Sequence, residues 1–106
     1  MERGAVLWCD LEPKRGREQS DLRPVIVFSA SRYNLSKSPM IAIIPCTKSP
    51  AKSPLHVELA PAETGLKSNS TVLVDQLKFV DRGRLRPGLA GRLTPEALAK
   101  VERSLM

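Results

Sequence analysis

Apolar residues occur along the chain in short runs that are separated by polar turns. The runs lie at residues 5–11, 23–29, 40–47, 55–59 and 71–74. The second run is almost entirely apolar, which predicts a strand in the interior of a sheet. The fourth alternates apolar and polar residues, as a half-exposed strand does. Short strands separated by turns that carry glycine or proline predict a small barrel or sandwich.

The period of the pattern changes near the C-terminus. Thr94 and Pro95 predict the start of a helix, with the threonine as N-cap and the proline at the first helical position. Leu98, Val101 and Leu105 then recur at spacings of three and four residues. This spacing predicts one apolar helix face that packs on the barrel or on a partner.

Three features between the strands predict local geometry. Pro45 has no backbone N–H and lies near the end of the third run, which predicts a sheet edge or a bulge at that point. Residues 48–54 contain two Ser-Pro pairs and predict a flexible loop. Residues 60–70 include Gly65 and predict a turn region.

Length and charge limit the classes of function. A chain of 106 residues is sufficient for one modest core, so residues 1–106 are expected to form a single domain. A formal charge of +6 and a pI near 9.8 favour a polyanionic partner, nucleic acid above all. One Trp, one Tyr and two Phe leave few side chains for base stacking. Recognition is therefore expected to depend on arginine, backbone and small polar groups.

The two cysteines and the absence of long apolar runs predict a cytoplasmic protein. Cys9 and Cys46 lie inside apolar runs, and their spacing is not that of a zinc site. Both are expected to be small buried side chains in a reducing compartment. No run approaches the length of a membrane span, and the N-terminus lacks a signal-peptide pattern, so no membrane association is expected.

Three polar groupings stand where the predicted strands begin or end. They are Glu18 and Gln19 with Arg23, then Thr47, Lys48 and Ser49, then Asp75 and Gln76. The guanidinium of arginine keeps its proton and presents a planar fork of donors that suits phosphate oxygens. Loops at one mouth of a small barrel can bring such groups together into a phosphate-directed site. Each grouping also has a local interpretation, as an ion pair, a strand-terminal hydroxyl or a turn.

The order of several short motifs resembles the MazF/PemK family of bacterial toxins. The matching segments are residues 1–4, Trp8, 10–13, Gly16, 18–19, 23–25, 33–34, 44–47, 65–67, 74–76 and 80–81. They extend from the N-terminus to the predicted helix. Each motif alone is weak, but the Glu-Gln and Arg-Pro block followed by Pro-Cys-Thr and Asp-Gln is specific.

The resemblance implies a fold, an activity and partners. The expected fold is mainly β with a C-terminal helix, a small SH3-like barrel of the CcdB/PemK type that forms a homodimer. The expected activity is sequence-specific cleavage of single-stranded RNA without a metal or other cofactor. In this family the ribose 2′-hydroxyl attacks and leaves 2′,3′-cyclic phosphate and 5′-hydroxyl ends. A cognate acidic antitoxin is the expected protein partner.

The resemblance also implies the site residues. The family's catalytic arginine, threonine and glutamate match Arg23, Thr47 and Glu18, and an aspartate of its PemK/Kid branch matches Asp75. The residues expected to bind RNA are Gln19, Arg17, Asp75, Gln76, Lys48 and Ser49. We expect Arg23 to stabilise charge, because a guanidinium releases its proton very reluctantly. Glu18 or Asp75 is the better candidate for the base.

Departures from the family pattern argue against a histidine mechanism. Some members carry a histidine where this chain has Arg17 or Leu22. The only histidine, His56, lies on the alternating strand and is expected to be exposed or to serve packing. Residues 78–86 form a second basic region, which is expected either to contact RNA or an acidic partner or to be a solvated loop.

Two alternatives to the nuclease remain open in the sequence. The related CcdB barrel inhibits DNA gyrase without cleaving a substrate, but it relies on a Trp-containing C-terminal end that residues 103–106 lack. A catalytically silent RNA-binding member is the other alternative. The RNA sequence that is cut is expected to depend on residues 14–21 and 48–54.

Overall fold

The computed structural model of the chain describes residues 2–11 and 22–106. In these segments the strands are β1 (Ala5–Asp10), β2 (Leu22–Val27), β3 (Met40–Thr47), β4 (His56–Leu59), β5 (Ser70–Leu73), β6 (Lys78–Asp81) and β7 (Gly91–Arg92). The helices are α1 (Ser31–Asn34), α2 (Pro61–Thr64) and α3 (Pro95–Ser104). Two 3-10 turns lie at Val74–Gln76 and Arg82–Arg84.

The strands form one curled antiparallel sheet in the order β4-β5-β3-β2-β1-β7, and β6 also pairs with β3. Val6 lies opposite Ile26 in the β1–β2 pair, and Ile26 lies opposite Ile44 in the β2–β3 pair. This arrangement confirms the predicted mainly-β fold with a C-terminal helix. It also confirms that the second apolar run is an interior strand, because β2 has a partner on both sides.

Both faces of the central strands are buried, which explains their continuous apolar sequence. On one face Val6, Ile26 and Ile44 pack with residues of α3 in the first core cluster. On the other face Leu7, Val25 and other residues form the second core cluster. Side chains alternate between the faces of a strand, so a strand covered on both sides contains no polar positions in its middle.

The C-terminal helix begins as predicted. The hydroxyl of Thr94 accepts a hydrogen bond from the backbone N–H of Ala97 at 3.1 Å, and Pro95 occupies the first helical position. Ala97 and Val101 are fully buried against the sheet. Leu105 lies past the last helical residue and is 43% exposed, so it does not extend the buried face.

Pro45 does not mark a sheet edge, and this part of the prediction is wrong. The strand β3 has β2 on one side and both β5 and β6 on the other. The 3-10 turn Val74–Gln76 separates β5 from β6, so the strand pairing on that side of β3 is interrupted between Ile43 and Cys46. A proline without an N–H is tolerated inside the sheet where a neighbouring strand is broken.

Four short elements were not predicted from the sequence. They are α1, α2, β6 and β7. Helices of four residues are too short to show a helical period, and β7 has only two residues. In β6 only Val80 is buried, so its sequence resembles a charged loop. No helix in the described ranges is long and apolar enough to cross a membrane.

A close backbone contact fixes the turn after α2. Gly65 ends this helix in the left-handed conformation with φ 83°, which glycine adopts without strain. A Cβ atom placed on Gly91 would lie 2.2 Å from the carbonyl oxygen of Thr64. The turn and β7 can approach this closely only because residue 91 has no side chain.

Substitution of Gly91 by alanine is therefore expected to lower the free energy of unfolding by about 1–3 kcal/mol, the usual cost of overpacking. Urea denaturation measures this change. Gly83→Ala is the matched control, because its Cβ would meet only the carboxylate of Asp81, at 3.1 Å. Equal unfolding midpoints for the two variants would contradict this account of the contact.

Candidate active site

A pocket of about 660 Å³ lies where the pairing of β2 with β3 ends. It is lined by Leu22, Arg23 and Pro24 from β2, by Cys46, Thr47 and Lys48 from the end of β3, and by Trp8, residues 65–68, Ser70 and Ala90. Three of the predicted site residues, Arg23, Thr47 and Lys48, therefore share one pocket. The hypothesis that a barrel mouth brings separated groups together holds for these three.

The strand register explains why Arg23 and Thr47 line the same pocket. Val25 lies opposite Pro45 in the β2–β3 pair. Continuing this register outward by two residues brings Arg23 opposite Thr47. Pro24 restricts Arg23 to extended geometry, so the half-buried arginine leaves the strand in a defined direction. The cation and the hydroxyl are thus held by two neighbouring strands of the sheet.

The backbone beyond β3 orients the hydroxyl of Thr47. The hydroxyl oxygen accepts a hydrogen bond from the backbone N–H of Ser49 at 3.3 Å. A threonine that accepts in this way keeps its own O–H proton for another acceptor. Ser49 therefore acts on the pocket through its backbone, and its side chain does not line the pocket.

Three side chains hold the loop of residues 48–54, which was predicted to be flexible. The hydroxyl of Thr71 donates to the carbonyl oxygen of Ser49 at 2.6 Å. The backbone N–H of Ala51 donates to Glu58 Oε2, and that of Lys52 donates to His56 Nδ1, both at 3.1 Å. The segment is a loop as predicted, but these bonds restrain it against β4 and β5.

A second cavity of about 400 Å³ adjoins the first pocket. Lys48 and Ser70 line both cavities. Pro50, Glu58, Asn69 and other residues complete the second cavity. The loop, through Lys48 and Pro50, thus forms part of the wall beside the pocket that contains Arg23 and Thr47.

Asp75 and Gln76 do not line either of these cavities. Both residues lie in the 3-10 turn that follows β5. In β5, Thr71 lies opposite Thr47 and Val72 lies opposite Cys46, so the chain leads away from Thr47 before it reaches the turn. Asp75 Oδ1 instead lies 3.2 Å from His56 Nε2, and Gln76 is exposed. The third predicted grouping is therefore separate from the pocket. His56 is partly buried, with 12% of its side chain exposed.

Three predicted residues, Arg17, Glu18 and Gln19, lie outside the described residues. Sequence reasoning overlooked Trp8 and Ser70, which line the pocket. The only sequence signal for Trp8 was its place among the segments that match the family; in the structure it lies between buried Leu7 and buried Cys9 and is itself 41% exposed.

Burial controls the chemistry of the two thiols. Burial raises the pKa of Cys46 to about 12. Burial also raises the pKa of Cys9, and the positive charge of Arg84 opposes this effect. Both side chains are buried free cysteines, as predicted. Among the described residues, no group of three or more His, Cys, Asp or Glu side chains has a metal-binding arrangement.

Part of the second basic region serves the fold. Arg82 Nε donates to the carbonyl oxygen of Ser38 at 2.6 Å, and Arg84 donates to that of Leu11 at 3.1 Å. These arginines join distant segments of backbone. Lys78 and Arg86 are exposed. Of the basic side chains in residues 78–86, Lys78 and Arg86 are therefore the ones that best fit the predicted contact with RNA.

The fold and the pocket define a small β-barrel protein with a cationic, hydroxyl-bearing site suited to phosphate. Residues 2–106 match the family of PemK-like, MazF-like toxins of type II toxin–antitoxin systems. The chain belongs to this family.

Similar proteins from three organisms support the same class. The chain is 33% identical to endoribonuclease EndoA of Bacillus subtilis, over 99% of this chain and 90% of that protein. It is 34% identical to endoribonuclease MazF of Staphylococcus saprophyticus, over 84% of this chain and 75% of that protein. The crystal structure of MazE-MazF from Deinococcus radiodurans superposes with a TM-score of 0.80 at 28% identity, covering 99% and 91% of the two chains. The predicted family and the endoribonuclease class are confirmed, and the CcdB-like alternative is not supported.

The raised thiol pKa values predict slow alkylation of the native protein. Only the thiolate is the nucleophile, so at pH 8 the buried thiols are expected to react with iodoacetamide far more slowly than those of the urea-unfolded chain. Mass spectrometry of the labelled protein measures both rates. Alkylation of native Cys46 at the rate of the unfolded chain would contradict its burial.

Proposed function

We propose that residues 1–106 act as one toxin domain that cuts single-stranded RNA without a metal ion. The cleavage is sequence-specific and uses the ribose 2′-hydroxyl as nucleophile. The observation that carries the proposal is the presence of Arg23 and Thr47 in one open pocket at adjacent strand ends. Cutting messenger RNA in this way stops translation, which requires a cytoplasmic protein.

The proposed reaction is an in-line displacement at phosphorus. A bond forms between the 2′-oxygen and phosphorus while the bond from phosphorus to the 5′-oxygen breaks. The products are a 2′,3′-cyclic phosphate and a 5′-hydroxyl, so a base must accept the 2′-proton and an acid must protonate the leaving oxygen. Negative charge develops on the non-bridging oxygens, and preorganised donors at those oxygens stabilise the transition state.

The described residues supply donors for that charge. A guanidinium binds phosphate through paired N–H groups, and Arg23 is proposed to donate in this way to the non-bridging oxygens. The O–H of Thr47 donates beside it, since the threonine oxygen already accepts from Ser49. Lys48 lies at the boundary of the two cavities and adds positive charge for the phosphate backbone. Glu18 is the residue proposed to accept the 2′-proton.

The remaining pocket wall suits the rest of an RNA strand. Trp8 presents an exposed ring in the same pocket as Arg23. Stacking of one base on an aromatic side chain contributes about 1–3 kcal/mol to single-strand binding. A base next to the cut phosphate is therefore proposed to stack on Trp8. Gln19, Arg17 and Gln76 are retained as proposed RNA-binding residues.

An acidic antitoxin is the proposed protein partner, and the active toxin is proposed to be a homodimer. Membership of a type II toxin–antitoxin family implies a cognate antitoxin. The net charge of +6 favours an acidic segment as well as RNA. Both ligands are proposed to compete for the surface around Arg23.

Replacement of Arg23 by alanine is expected to lower the rate of RNA cleavage by about 100-fold or more, because it removes a transition-state donor. The assay uses purified protein and a long RNA in EDTA, with mapping of the cut ends. Arg32→Ala is the matched control, since Arg32 is exposed on α1 and lies outside the pocket. Uncut RNA with the parent protein would overturn the proposed function. Equal cleavage by the Arg23 variant would point to a contaminating nuclease.

Two substitutions of Thr47 separate its hydroxyl from its shape. Thr47→Val keeps the volume but removes the donor and is expected to lower kcat by about 100-fold. Thr47→Ser keeps the donor, so its kcat is expected to stay within about tenfold of that of the parent, which is the effect of a modest change in hydrogen-bond geometry. Single-turnover kinetics at saturating protein measure the chemical step. Similar rates for the two variants would exclude a role for the hydroxyl.

A further inference from the structure

The single histidine connects two segments that are far apart in sequence. Its Nε2 lies 3.2 Å from Asp75 Oδ1, and its Nδ1 lies 3.1 Å from the backbone nitrogen of Lys52. A backbone N–H can only donate, so Nδ1 must accept and the ring proton must lie on Nε2. The ring therefore donates to Asp75 and accepts from the loop of residues 48–54.

The position of Asp75 follows from strand pairing. His56 lies opposite Leu73 in the β4–β5 pair, and Asp75 follows in the 3-10 turn two residues later. The carboxylate is 40% exposed, whereas the imidazole is mostly covered. The carboxylate of Asp75 thus fixes the imidazole orientation from the solvent side, and the imidazole fixes the loop.

The restrained loop borders the site where RNA is proposed to be cut. Lys48, its first residue, lines both the Arg23–Thr47 pocket and the adjoining cavity, and Pro50 lines the adjoining cavity. Thr71 and Glu58 hold the early part of the loop through Ser49 and Ala51. The contact between His56 and Lys52 holds the part that follows, so the shape of the cavity wall depends on all three contacts.

We propose that Asp75 and His56 are positioning residues that set the shape of the 48–54 loop, and through it the preference for the nucleotide beside the cut phosphate. The proposal rests on the proposed function, because it concerns the same cleavage site. Asp75 acts through His56 and needs no contact with RNA. This indirect role explains why Asp75 lies outside both cavities, which a direct contact with RNA would not explain.

Two substitutions of His56 separate its two hydrogen bonds. The amide of Asn reproduces the position of Nδ1, so His56→Asn keeps an acceptor for the Lys52 N–H. The amide of Gln reproduces the position of Nε2, so His56→Gln keeps the bond to Asp75 but releases the loop. The measurement is the ratio of kcat/KM values at the preferred cut site and at the next best site of one RNA.

The Gln variant is expected to lower this ratio by about three- to tenfold, the effect of one lost hydrogen bond. The Asn variant retains the acceptor for the loop but loses the bond to Asp75, so its ratio is expected to lie between those of the Gln variant and the parent. A ratio for the Gln variant equal to that of the parent would overturn the proposal. General loss of folded protein scales the rate at every site equally and leaves the ratio unchanged, so a structural role alone cannot produce the expected result.

A second pair of variants tests the same bond from the loop. Lys52→Pro removes the N–H that His56 accepts, and Lys52→Ala removes the same side chain but keeps the N–H. Because Lys52 is exposed, both variants are expected to fold. The ratio is expected to fall for the proline variant relative to the alanine variant. Equal ratios for these two variants would contradict the proposal.

The indirect role of Asp75 has its own test. Asp75→Ala is expected to lower the ratio in the parent and to have no further effect in the Lys52→Pro background, where the imidazole no longer reaches the loop. Equal effects in both backgrounds would show that Asp75 contacts RNA directly. Failure of the parent to cut RNA would overturn the proposed function. An active parent whose variants keep the parent's ratio would overturn only the positioning role, so the two failures are distinguishable.

Discussion

The candidate active site depends on the change of partners along β3 at Pro45. Before this residue β3 pairs with β2 and β6, and after it β3 pairs with β5. The pairing of β2 with β3 ends at Pro45, and residues of both strands beyond that point line the pocket. Buried hydrophobic clusters on both faces of the sheet fix the strands as far as Pro45. The core itself therefore positions Arg23 and Thr47 at the strand ends, on rigid elements.

The hydrophobic pattern was sufficient to predict the elements that build the core. The strands β1, β2 and β3 and the helix α3 have long apolar runs or a clear period, whereas α1, α2 and β7 are too short to show either. That Arg23 and Thr47 share one pocket was indicated by the barrel-mouth argument and by the family resemblance, not by their spacing in the sequence. The contact between Asp75 and His56 was not predictable, because it depends on the β4–β5 register, which the two local sequences do not encode.

Net charge is a weaker indication of function than it appeared from composition. Arg3 stacks on the ring of Phe28 and pairs with Glu102, and Arg82 and Arg84 bind backbone carbonyls. These cations belong to the fold. The charge that the proposed function requires is local, because Arg23 and Lys48 share the pocket with exposed Trp8. Focusing of this kind acts on a phosphate more strongly than the net charge does.

Restraint of the 48–54 loop explains how a small site can discriminate between bases. A free loop adapts to any nucleotide, and ordering it on binding reduces affinity for all of them. A loop held through Ser49, Ala51 and Lys52 presents one cavity shape before RNA arrives. Selectivity then depends on contacts that lie behind the binding surface. Side chains such as His56 therefore influence the choice of substrate although they do not line the cavity that receives it.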